Sequence, residues 1–158
     1  MSGGGSMGGD AADRAEHAGG CPCGAVRFVC TGPPLNVRIC HCTDCQSAHA
    51  APSVARALYP HDRVRVVGMM GRYRTSDTLW RLFCPICGSR VMAWRDPGGV
   101  AGVPLSGFDA PFPYPPTAHA FAASRPAWEV IADDLPVFAG PAPAADHGPP
   151  GVGSRPGR

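Results

Sequence analysis

The sequence contains no lysine. All fourteen basic side chains are arginine, so Schiff-base chemistry and a lysine general base are excluded. Charge of either sign is sparse: Asp and Glu together number 12, and the formal net charge is +2. A balance so near neutrality gives no case for a committed nucleic-acid binder. Long hydrophobic runs are missing too. The N-terminal "MSGGGSMGGDAADRAEHAGG" lacks the apolar stretch of a signal peptide or membrane anchor, and no later segment is long enough to cross a bilayer as a helix. A cytoplasmic location is therefore expected, where thiols stay reduced.

Against this background cysteine is plentiful, with eight in 158 residues. A chain of this length is one domain and can bury a core without disulfides. Clustered thiols in a reducing compartment read as metal ligands or reactive groups rather than as disulfides.

The ends separate by composition. Residues 1–19 are Gly, Ser, Ala and charge, and 140–158 are rich in Pro, Gly and Ala, so both are expected to be disordered around a folded part at 20–139. There is no internal repeat. Strand-like runs occur at 25–30 ("AVRFVC", with Arg27 toward solvent), 52–59, 63–68, 72–75, 78–84 and 89–95, where Val91 and Ala93 alternate with Arg90 and Met92. The short gaps between them suit antiparallel hairpins and leave no room for parallel crossovers. One segment, "TDCQSAHA" (43–50), reads as a helix capped by Thr43 or Asp44, and a second helical turn is possible near 126–131. The expected class is mostly β.

The cysteines fall into sets. Cys84 and Cys87 in "FCPICGS" form a knuckle, with Gly88 free to adopt positive φ so that backbone N–H groups face the sulfurs. Cys21 and Cys23 in "GGCPCG" form a second such pair. Together they make a closed four-sulfur zinc site of structural type; the alternative is two unrelated pairs of buried cysteines. Cys40, Cys42 and Cys45 lie within "ICHCTDCQ" and supply three thiolates. Three ligands with a free fourth position is the pattern of a metal that does chemistry. Cys45, in the first turn of the expected helix, is placed for a lowered pKa. Two alternatives remain open: a second structural zinc completed by His41, His49 or Asp44, and a redox pair of Cys42 with Cys45. His41 faces the wrong way if Cys40 and Cys42 both ligate from extended chain, whereas His49, one helical turn beyond Cys45, could reach. Cys30 reads as an ordinary buried thiol.

Together, "GGCPCGAVRF", "ICHCTDCQ" and "GRYRTSDTLWRLFCPICGSRV" resemble the glutathione-dependent formaldehyde-activating enzymes, also known as the centromere-protein-V-like family. The similarity runs from about Gly19 to Phe138 and takes in "SGFDAP" (106–111) and "TAHAFAASRPAW" (117–128). The resemblance implies a tent-like arrangement of antiparallel sheets and two zinc ions per chain. It assigns Cys21, Cys23, Cys84 and Cys87 to a tightly held zinc, and Cys40, Cys42 and Cys45 to a zinc with a vacant position. The activity it implies joins formaldehyde to glutathione as S-hydroxymethylglutathione, the reverse being a carbon–sulfur lyase reaction. A small-molecule thiol or thiol adduct is then the expected partner.

The catalytic residues are not assigned by the sequence. His119 is a candidate proton carrier, although a lone strand histidine is commonly structural. Arg74 and Arg81 lie near the second knuckle and could meet a substrate carboxylate, or simply occupy a solvated strand face. The competing class is a non-catalytic, zinc-stabilised protein-binding module. Nucleic-acid binding would rest on Arg63, Arg65, Arg72 and Arg74 around Tyr73, a pattern that a solvated sheet face explains equally well.

Overall fold

The computed structural model describes residues 8–143. It is mostly β, in two sheets. The smaller sheet has the order β1–β2–β5, formed by Glu16–Gly20, Arg27–Thr31 and Val64–Val67, all antiparallel. In β2, burial alternates so that Phe28 and Cys30 point inward, as a half-buried strand requires. Arg27 is half-exposed and paired with Asp109.

The larger sheet has seven strands in the order β10–β3–β4–β9–β8–β7–β6. In chain order these are β3 (Asn36–Cys40), β4 (Val54–Pro60), β6 (Gly71–Ser76), β7 (Leu79–Phe83), β8 (Arg90–Arg95), β9 (Val100–Pro104) and β10 (Ala118–Ala120). Hairpins β6–β7–β8–β9 follow the expectation of short antiparallel connections. One pair departs from it: β10 runs parallel to β3, with His119 opposite Ile39. The long excursion between β3 and β10 supplies the crossover that local hairpins cannot. A single apolar cluster joins the two sheets, with Phe28 and Cys30 of β2 packed among Ala57, Tyr59, Met92 and Val103. Val91 and Met92 are both buried; a register shift between Leu82 and Phe83 interrupts the alternation expected there.

The N-terminal expectation is corrected. Residues 1–7 lie outside the described part, but Gly8–Arg14 forms a helix (α1) and β1 pairs along its length with β2. Strand pairing runs through the backbone and needs no apolar side chains, which is why composition misjudged this segment. Gly19 shows how close the packing is: a Cβ there would lie 2.2 Å from the Gly107 carbonyl oxygen. At the other end, 144–158 lie outside the described residues. Gly140 and Pro143, in the tail expected to be disordered, offer carbonyls to the Phe121 N–H and to Arg38 Nη2. The expected helix at 43–50 is α2, Thr43–His49, and the stretch near 126–131 is a turn closed by the Glu129 N–H on the Pro126 carbonyl. Among the described residues, no helix is long and apolar enough to cross a membrane.

Candidate metal centres

The first group is built from two copies of one local design. In each knuckle the leading cysteine donates its N–H to a carbonyl five residues on: Cys21 to Val26 at 3.0 Å and Cys84 to Ser89 at 2.9 Å. Its own carbonyl then accepts from a glycine N–H, Gly24 for Cys21 and Gly88 for Cys84. Both glycines hold positive φ, +79° and +75°, which an L side chain resists. The turn frees N–H groups for sulfur: Val26 donates to Cys21 Sγ at 3.3 Å. Backbone donation at Ser89 likewise holds the Cys87 thiol down at about 6.

A methyl on Gly88 would touch nothing, so its penalty is conformational alone. Gly88→Ala is expected to lower stability by about 1–2 kcal/mol, read as a fall in melting temperature. An unchanged melting curve would show that the knuckle relaxes.

The knuckles meet because β1 leads into Cys21 and the β7–β8 turn carries Cys84 and Cys87. Cys21 Sγ lies 3.5 Å from Cys23 Sγ, and Cys23 Sγ lies 3.6 Å from Cys84 Sγ across 61 sequence positions. All four sulfurs fall within 4.8 Å of one another.

The second group sits where β3 gives way to α2. Cys40 ends the strand, Cys42 is the helix N-cap, and Cys45 lies in the first turn. The cap is thus Cys42, not Thr43 or Asp44. Its sulfur accepts the Cys45 N–H at 3.4 Å, taking the place of the oxygen usual at that position. Cys40 and Cys42 sulfurs are 3.4 Å apart, and the three sulfurs lie within 4.8 Å of each other. The neighbouring Cys40 and Cys42 thiols hold Cys45 well below the usual thiol range, with the Arg81 charge adding to this against burial.

Both groups fit a metal. A tetrahedral ion with sulfur bonds of about 2.3 Å places its sulfurs about 3.8 Å apart. The closest sulfur pairs, at 3.5, 3.6 and 3.4 Å, fall slightly short of that value. The sulfurs of each group all lie within 4.8 Å of one another, and no disulfide forms, all eight cysteines being free. Soft sulfur donors in such groups suit zinc. Cys30 stands apart: it is fully buried in the core, and burial pushes its thiol up to about 12.

Among the described residues no histidine or carboxylate joins the three-sulfur group. His41 does face away, as strand alternation requires. Its Nε2 is 2.8 Å from His119 Nδ1 and its Nδ1 is 3.1 Å from Glu129 Oε2. His119 Nε2 in turn lies 3.1 Å from both Asp133 oxygens, and Ser53 donates to Glu129 Oε1 at 2.8 Å. Three hydrogen bonds along this line need three protons, one more than two neutral imidazoles carry. Asp133 is held below the usual carboxylate range, first by the Leu135 N–H and then by His119.

Gln46 adds two bonds, to the His41 and Ser124 carbonyls. The network pins the loop between Cys40 and Cys42 from behind. Its carboxylates come from a segment with no periodic pattern, so nothing in the sequence pointed to Glu129 or Asp133. His119, with both nitrogens engaged and 4% exposed, is placed with His41 rather than at the sulfurs.

His49 does not complete the group either. Burial, then the charges of Arg90 and Arg81, press it down to about 4. The two candidate arginines part company. Arg74 is exposed and donates to the Asp77 carbonyl. Arg81 is buried, with Nη2 3.8 Å from Cys45 Sγ. A cavity of about 640 Å³ is lined by Ala48, His49, Arg90 and, from the two knuckles, Cys21 and Gly88. None of Cys40, Cys42 and Cys45 lines it.

The model of the glutathione-dependent formaldehyde-activating enzymes matches residues 16–124, more than half of the chain, and takes in both sulfur groups. The chain belongs to that family. A Rhodobacter sphaeroides protein of known crystal structure is similar at 25% identity, with 61% of this chain and 91% of that chain covered and a TM-score of 0.50. No curated protein matches the sequence.

Proposed function

We propose that the chain is a zinc enzyme of carbon–sulfur lyase type, acting on a thiol–aldehyde adduct such as S-hydroxymethylglutathione and on the reverse condensation. The observation that carries this reading is the inequality of the two groups: four sulfurs in one, three in the other, with no histidine or carboxylate joining the three among the described residues. Cys21, Cys23, Cys84 and Cys87 hold one ion and staple the knuckles. Cys40, Cys42 and Cys45 hold the other and leave a coordination position free. An ion there supplies a place where a substrate thiol is held as the nucleophilic thiolate at neutral pH.

The chain's own part is to fix geometry. β3 and the α2 cap set the three sulfurs, and the His41–His119 network holds the loop between them. In the condensing direction a C–S bond forms, the carbonyl π pair moves to oxygen, and the thiol proton ends on that oxygen. The lyase direction reverses each change. A reducing compartment suits eight free cysteines.

A second reading, the non-catalytic binding module, draws on the large cavity bordering the four-sulfur group instead of the three-sulfur one. The test is formaldehyde disappearance with glutathione alone, protein alone, and both. Faster loss with both supports the enzyme. Equal rates with and without protein, repeated for other low-molecular-weight thiols, would leave the binding module.

A further inference from the structure

Arg81 is 3% exposed, and among the described residues no carboxylate pairs with it. Its strand neighbours across β6 and β8 are Tyr73 and Ala93. Among the described residues its hydrogen-bond acceptor is Cys45 Sγ at 3.8 Å, and none partners its Nε. A buried cation without a counter-charge is strongly disfavoured, so the sulfur group must serve as its counter-charge.

The two groups differ here. Three thiolates around a divalent ion carry one negative charge, and Arg81 brings the total to zero. Four thiolates around such an ion carry two, yet that group keeps Cys23 and Cys87 exposed, where water disperses charge. The three-sulfur group has no exposed cysteine. A neutral fourth ligand would leave it at zero with Arg81, while an anionic one would bring it to minus one. Without Arg81 the anionic ligand would make a doubly negative, largely buried centre.

We propose that Arg81 is the residue that selects an anionic fourth ligand, a thiolate, over neutral donors at the Cys40–Cys42–Cys45 site. Resting on the open-site reading above, it makes Arg81 a positioning and specificity residue acting through charge. On binding, the thiol releases its proton to solvent and its sulfur lone pair forms the new bond; nothing is oxidised or reduced.

The test titrates cadmium-loaded full-length protein with 2-mercaptoethanol and, separately, with imidazole, following cadmium NMR so that the two sites report independently. In Arg81→Met the ratio of thiol to imidazole affinity is expected to fall by about tenfold or more, since a nearby charge changes ion affinity on that scale, with both cadmium signals retained. Arg81→Lys should keep the ratio within about threefold of wild type.

An unchanged ratio in Arg81→Met, or an equal fall for both ligands, overturns the proposal. If Arg81→Met loses fold or metal, Arg81→Gln takes its place. Loss in both neutral variants assigns Arg81 to folding and likewise overturns it. Failure of the wild type to bind either ligand instead overturns the open-site reading. Wild type that takes imidazole but no thiol overturns the Arg81 proposal alone.

Discussion

Cys84→Ser is expected to leave the protein unfolded at room temperature. Cys84 is fully buried at the end of β7, and its sulfur faces that of Cys23 across 61 positions. A structural zinc contributes about 10–16 kcal/mol of apparent binding energy, as large as the whole net stability of a typical domain, about 5–15 kcal/mol. Serine supplies no thiolate, and its hydroxyl would be buried at a site built to hold an ion. What remains is the apolar cluster joining the sheets. That cluster includes Cys21 and Cys84 themselves, so it is weakened by the same change. Circular dichroism and limited proteolysis of the zinc-loaded variant measure the effect. A melting midpoint within a few degrees of wild type would mean that the four-sulfur group is not the staple.

How far the sequence disclosed this molecule depends on the range of the interactions involved. The knuckles were legible because a thiol pair, a proline or apolar residue and a glycine needing positive φ all fall within five positions; Gly88 takes the φ that its place after Cys87 suggested. The helix after Cys42 and the hairpin strands were legible from alternation and turn residues.

Segments whose order comes from backbone pairing were not. β1 has almost no apolar side chains, and β10 owes its parallel place beside β3 to a crossover of nearly eighty residues. An N-cap oxygen is the expectation because Ser, Thr, Asp and Asn normally fill that position, while here the Cys42 sulfur does so. Arg81 and Arg74 are alike in sequence, each on a strand beside the knuckle. Only the tertiary fold makes one a buried neighbour of Cys45 and leaves the other in solvent. The carboxylates that hold His41 and His119 come from Glu129 and Asp133, 88 and 14 positions away from their partners, beyond the reach of any local pattern.

The cap at Cys42 makes the functional test unusually clean. Cys42→Ser is expected to remain folded while losing thiol-dependent formaldehyde consumption down to the rate with thiol alone. Serine is among the best N-cap residues. Its oxygen can accept the Cys45 N–H that Cys42 Sγ now accepts at 3.4 Å, so α2 keeps its start. Nothing in the four-sulfur group is touched, so the staple stays. The three-sulfur group falls to two thiolates, Cys40 and Cys45. A neutral serine hydroxyl is a poor replacement for an anionic ligand at a zinc site. The ion at this group should therefore be lost to a mild chelator under conditions where the other is retained. Metal analysis before and after chelation, melting curves and the formaldehyde assay are read on the same preparation. Metal retained at two ions per chain would mean that another group holds the second ion. A collapse of the melting curve matching that of Cys84→Ser would make both groups structural. Full formaldehyde consumption by a folded variant with a single ion would move the chemistry away from Cys40, Cys42 and Cys45 altogether.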